Sequence, residues 1–149
     1  LIIGSAAMFG WVLTITRVPQ NFANFVLALT DNPYLFLFIA NILLFIIGMV
    51  LDAGPAILIL GPILGPSLAQ LGINPTHFAV VMCLNLTVGL ATPPFGLVLF
   101  AASSITKLRV STIVRAMMPY YLVHLIVIFL ITYWPALSLS LPKLLGLPV

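Results

Sequence analysis

Charged residues stand far apart along this chain, and the stretches between them are apolar. No residue from Leu1 to Thr16 is charged, and Asp31 and Asp52 bracket an apolar run from Pro33 to Leu51. Nothing from Ala53 to Thr106 is charged, and a further uncharged run extends from Ala116 to Pro142. A helical crossing of a bilayer takes about 20 apolar residues, so the pattern predicts about five membrane-embedded segments. The runs are continuous rather than alternating, which argues against barrel strands. Backbone groups in lipid must then be satisfied within each helix. The expected class is an all-α integral membrane protein.

The long stretch between Ala53 and Thr106 is interrupted by Pro55, Pro62, Pro66, Pro75, Pro93 and Pro94, and by Gly54, Gly61, Gly65, Gly72, Gly89 and Gly96. Proline removes a backbone donor and clashes with the preceding turn, so such positions break or kink helices. Read by its breaks, the region gives pieces at Tyr34–Leu51, Pro55–Leu71, His77–Leu90 and Gly96–Thr106. At 1.5 Å per residue the last two are about 21 and 16 Å long. They therefore form one pass, 77–106, broken near its middle. Asp52-Ala53-Gly54-Pro55 reads as the tip of a re-entrant hairpin spanning 34–71, with Pro55 suited to the first turn of the second arm. The remaining segments are a transmembrane helix over 1–16, an interfacial helix over 20–30, a final transmembrane helix over 111–135 and a tail over 136–149, all in a single membrane domain.

Composition agrees with this class. The 149 residues are 63% hydrophobic and 5% charged, where a soluble domain carries about 25% charge. This excludes a soluble enzyme and a nucleic-acid binder. Lys107, Arg109 and Arg115 gather in one loop, against a single Arg17 and a single Lys143 elsewhere. By the positive-inside rule that loop is cytoplasmic, which turns His77, both hairpin ends, Arg17 and the C-terminus outward. Leu1 opens inside an apolar run with no basic segment before it, which argues against a signal peptide and for a piece of a longer polypeptide. Cys83 stands alone and reads as a small buried apolar residue.

The embedded polar groups carry the candidate chemistry. Asp52 is the one acid inside the apolar region, and a membrane-embedded acid is functional by default because stranding its charge is costly. The same residue suits the N-cap of the following helix. At the second interruption, Gly89-Leu90-Ala91-Thr92-Pro93-Pro94-Phe95-Gly96, the two prolines leave carbonyls without helical donors and Thr92 adds a hydroxyl. Free oxygens around a helix break suit a hard cation such as Na⁺. Asn85 is read as a helix–helix hydrogen-bonding residue, with ion binding as the alternative. His77 is expected at an interface and His124 as a satisfied buried histidine. Only one acid is embedded, no histidine stands at a suggestive spacing from a serine, and no zinc motif occurs, so neither catalysis nor a transition-metal site is expected.

The run Gly48-Met49-Val50-Leu51-Asp52-Ala53-Gly54-Pro55-Ala56, then Pro62-Ile63 and Gly72-Ile73-Asn74-Pro75-Thr76-His77-Phe78, resembles one family. So do Asn85-Leu86, Gly89–Gly96 and Pro135-Ala136-Leu137-Ser138-Leu139. The family is the large permease subunit of TRAP transporters, the tripartite ATP-independent periplasmic carriers, and the resemblance runs through nearly the whole chain. It implies the C-terminal part of that subunit, roughly the second repeat of an elevator fold of the ion-transporter superfamily. It further implies sodium-driven import of organic acids, of dicarboxylate or sugar-acid type, across the bacterial inner membrane. The implied partners are a periplasmic substrate-binding protein and a small four-helix membrane subunit, with Na⁺ as coupling ion and no other cofactor. On the family's pattern, sodium or substrate would meet Asp52, Ala53, Gly54 and Pro55 at the hairpin tip. It would also meet Gly89, Leu90, Thr92, Pro93, Pro94 and Gly96 at the break, with Asn85 nearby. A different class of function is a truncated, non-transporting scaffold that packs against other membrane helices.

Overall fold

The computed structural model describes residues 2–17, 20, 21, 24, 25 and 32–146. Among them the regular structure is helical: α1 (Ile2–Ile15), α2 (Pro33–Val50), α3 (Ala53–Gln70), α4 (Pro75–Leu90), α5 (Leu97–Thr106), α6 (Val110–Tyr133) and α7 (Pro135–Leu144). Three of these, α2, α3 and α6, are long and apolar enough to cross a membrane. Most of the interfacial helix expected over 20–30 lies outside the described residues. The tail expected over 136–149 contains the helix α7.

Local signals set the helix starts. Asn32 and Asn74 cap α2 and α4 through their side chains, Asn32 accepting from the Tyr34 N–H and Asn74 from those of Thr76 and His77. A proline follows each cap, where its missing donor leaves no bond unmade. The turn at Leu51 and Asp52 is two residues of extended backbone between α2 and α3. Prolines inside an apolar helix do not always end it. α3 runs unbroken through Pro62 and Pro66, and α6 through Pro119. Pro62 deprives the Leu58 carbonyl of its helical donor, and Gly10 of α1 lies against that carbonyl, where an added Cβ would sit 3.4 Å away. A glycine at this position allows the close approach of α1 to α3.

Both hairpin arms pack on α4, and the three helices share one core built from Phe36, Leu37, Ala40 and Leu44, Ala56, Leu64 and Leu68, and Phe78, Met82 and Leu86. The helices α6 and α7 also pack on α4, and α5 packs on α6. Apolar residues lie on every side of α4, so its buried face is set by these neighbours. Phe78, Val81, Met82, Asn85, Leu86 and Gly89 face inward. Cys83 falls on the opposite face with Ala79 and Thr87 and is exposed, correcting the expectation of a buried cysteine. Much of α1 and α6 presents apolar side chains outward, among them Trp11, Met118, Leu122 and Ile126, as lipid-facing helices do.

Candidate functional site

The two interruptions start from one helix crossing. A Cβ added to Gly48 would lie 2.8 Å from the Leu86 carbonyl oxygen, and one added to Gly89 would lie 2.7 Å from the Gly48 carbonyl carbon. The backbones of α2 and α4 therefore touch directly, which only glycine permits at both positions. Gly48 precedes the hairpin turn by three residues and Gly89 precedes the break by two, so each interruption begins within about one helical turn of the crossing.

At the tip, Leu51 is extended and its N–H donates back to the Ile47 carbonyl at 2.8 Å. Asp52 occupies the N-cap position of α3, but its carboxylate makes no capping hydrogen bond and the residue is exposed. Its backbone carbonyl accepts from the Ala56 N–H at 3.1 Å, while Ala53, Gly54 and Pro55 form the first turn. Among the described residues no hydrogen bond joins Asp52 to the break. The carboxylate sits at the positive end of α3.

At the break, α4 closes with a tight turn in which the Thr92 N–H donates to the Gly89 carbonyl at 2.9 Å. The Thr92 hydroxyl donates to the Val88 carbonyl at 2.7 Å, so its proton is used and its lone pairs stay available. Pro93 and Pro94 follow, joined by a cis peptide bond. Gly96 then opens α5, and a Cβ there would lie 2.9 Å from the Thr92 carbonyl oxygen and 3.0 Å from that of Leu90. These two carbonyl oxygens and Leu99 Cδ1, itself 2.9 Å from that position, border the small recess left by the missing side chain of Gly96, which is too tight for a Cβ. Thr92 and Gly96 are buried, Leu90 and Pro93 are half-buried, and Pro94 is exposed. The carbonyl between the two, that of Ala91, accepts from the Tyr121 hydroxyl of α6 at 2.9 Å.

Asn85 lies one turn before the crossing and is buried. Its amide donates to Asn41 Oδ1 at 2.6 Å and to the Val81 carbonyl at 2.8 Å. The Asn41 amide donates in turn to the Thr132 hydroxyl at 3.0 Å, and that hydroxyl donates to the Ile128 carbonyl at 2.7 Å. One polar chain therefore joins α2, α4 and α6. His77 extends it: Nε2 donates to the Thr132 carbonyl at 3.1 Å, and Nδ1 faces the Ser138 hydroxyl of α7 at 2.6 Å. His77 is buried. His124 departs from expectation, since its buried Nδ1 has no hydrogen-bond partner among the described residues. Sequence reasoning missed Asn41, Thr132, Ser138 and Tyr121. Asn41 was detectable as the one amide within the apolar run of α2, whereas the others look like ordinary residues at helix ends or on an apolar helix. Among the described residues, no three His, Cys, Asp or Glu side chains gather to hold a metal ion.

Three helices long and apolar enough to cross a bilayer, with interruptions between α2 and α3 and between α4 and α5, mark a membrane protein. The chain belongs to the DctM family, the DctM component of the tripartite ATP-independent periplasmic transporters, whose model matches residues 1–137. It is 40% identical over 146 residues to the C4-dicarboxylate TRAP transporter large permease protein DctM of Pseudomonas aeruginosa, covering 98% of this chain and 34% of that protein. It is 33% identical over 144 residues to the sialic acid TRAP transporter large permease protein SiaM of Vibrio cholerae, covering 97% of this chain and 34% of that protein. With the 2,3-diketo-L-gulonate TRAP transporter large permease protein YiaN of Escherichia coli it shares 37% identity over 130 residues, covering 86% of this chain and 31% of that protein. The chain thus spans about a third of the length of the curated relatives it matches.

Proposed function

We propose that this chain supplies one half of the transport site of a TRAP large permease, the C-terminal repeat of a sodium-driven importer of organic acids. The hairpin α2–α3 and the broken pass α4–α5 are its working parts. In an elevator cycle they would move as a body, carrying Na⁺ and substrate together. The observation that carries this reading is the Gly48–Gly89 crossing, because it ties the hairpin turn and the helix break to one point. The ligands offered to Na⁺ are the carbonyl oxygens of Leu90 and Thr92 and the Thr92 hydroxyl oxygen, with the tip at Asp52–Pro55 closing the site from the hairpin side. Uncharged oxygens suit a weakly held alkali ion that must leave again in every cycle.

The rest of the site comes from polypeptide outside this chain. Its partners in the proposal are a small membrane subunit and a periplasmic binding protein that delivers the acid. The relatives' names place dicarboxylates, sialic acid and a keto sugar acid among the substrates of such permeases, so a carboxylate is the common feature. The Lys107–Arg115 loop faces the cytoplasm of an inner membrane.

The test is uptake by the full-length permease that contains this chain, reconstituted with its partners. A sodium gradient should drive accumulation of a carboxylate substrate, and replacing sodium with choline should abolish it. Equal uptake without sodium would contradict the reading.

A further inference from the structure

We infer that Tyr121 is a positioning residue for the sodium site: its hydroxyl pins the Ala91 carbonyl and thereby sets the direction of the oxygens on either side. This rests on the proposed sodium site at the break. Three consecutive carbonyls divide there. Those of Leu90 and Thr92 border the recess at Gly96, while that of Ala91 points to α6 and accepts from Tyr121 at 2.9 Å. Neighbouring peptide planes share a Cα, so fixing the middle one restrains both flanks. The Ala91–Thr92 peptide is held at both ends, its N–H by the Gly89 carbonyl at 2.9 Å and its carbonyl by the phenol. Without the phenol this peptide keeps only its N–H anchor, and a tilt about that bond would carry a flanking oxygen away from the recess.

The placement of Tyr121 supports the same role. The helix α6 presents most of its surface outward, with Tyr120, Leu122 and Val123 beside it all exposed. Tyr121 is half-buried and meets the break through the Ala91 carbonyl, with Met117 Sδ of its own helix 3.9 Å from the hydroxyl. A phenol in an apolar setting needs an acceptor, and the Ala91 carbonyl lacks the helical donor that a regular turn would give it. The contact therefore satisfies two groups and couples α6 to the broken pass. The oxygen is spent on structure, so Ala91 is not a ligand. Tyr121 acts on the ion only through the backbone.

The experiment compares Tyr121→Phe with wild type in the complete transporter in proteoliposomes, reading the sodium concentration for half-maximal uptake separately from the maximal rate. Loss of the hydroxyl should raise the half-saturating sodium about two- to tenfold, the effect of one lost hydrogen bond. The rate at saturating sodium should stay near wild type. Sodium-dependent thermal stabilisation of the purified protein should shift to higher sodium by a similar factor. Placing p-aminophenylalanine at position 121 restores a donor and should return both readouts toward wild type; if Tyr121→Phe accumulates poorly, this variant decides the matter alone. In combination with Thr92→Ala the two effects should not multiply, because both act on one set of oxygens. A shift for Thr92→Ala with none for Tyr121→Phe would overturn the pin and leave the site standing. No shift for either would overturn the site itself. A Tyr121→Phe protein that melts earlier with unchanged sodium dependence would show that the hydroxyl only packs.

Discussion

Gly48 and Gly89 hold two helix backbones in contact: a Cβ on Gly89 would meet the Gly48 Cα at 2.8 Å and the Phe45 carbonyl oxygen at 2.9 Å. No side-chain rotation relieves an overlap with backbone atoms, so α2 and α4 must move apart if either glycine changes. Gly89→Ala should destabilise the full-length permease by about 1–3 kcal/mol, the usual scale for overpacking a tight contact. Gly4 of α1 has no atom within 4 Å of its Cβ position and serves as the control. Gly4→Ala should be neutral or stabilise by about 0.5–1 kcal/mol through helix propensity. Thermal unfolding in detergent measures both, and equal behaviour of the two variants would remove the crossing from the account.

The Asn41–Asn85 hydrogen bond joins helices at buried sites, and each partner is satisfied by further bonds. Removing one amide leaves the other with a partner fewer at a buried site, although its remaining bonds persist. A double-mutant cycle of Asn41→Ala and Asn85→Ala should therefore give a coupling of about 0.5–2 kcal/mol, the range of interhelical hydrogen bonds in membranes. Unfolding titrations of the four proteins supply the number. Strictly additive effects would mean that the bond contributes nothing to holding α2 on α4.

Charge distribution makes the orientation testable. In a full-length background with Cys83 replaced, cysteines placed at Lys107 and Arg109 should resist membrane-impermeant thiol reagents in intact cells. A cysteine at Thr76, exposed at the start of α4, should label. The reverse pattern would invert the topology and with it the side on which the hairpin opens.

Which parts of this molecule were legible in its sequence follows from how local each signal is. The ends of α2, the start of α3 and the break after Leu90 are written in Asp52, Gly54 and the Pro93-Pro94 pair, because proline and glycine act on their own turn. The second arm was legible as one piece, 55–71, and α3 does run through Pro62 and Pro66 without a break. Asn85 announced a partner without naming it: Asn41 is 44 residues away, and only the docking of α2 brings it near. Cys83 misled for the same reason, as an apolar helix carries no periodicity to say which face is covered. Tyr121 gave no signal at all, because one tyrosine on an apolar helix looks like packing until the Ala91 carbonyl is beside it.

The central claim is that oxygens exposed at the break hold sodium, and Thr92→Ala tests it most directly. The threonine hydroxyl donates to the Val88 carbonyl and keeps its lone pairs for the ion. Its removal should weaken sodium binding by about 1–3 kcal/mol, the scale for a buried polar interaction lost. About 1.4 kcal/mol is a factor of ten. In proteoliposomes of the complete transporter, the sodium concentration for half-maximal uptake should therefore rise severalfold or more at wild-type protein levels. An unchanged sodium dependence would contradict the account and leave the break as a structural kink.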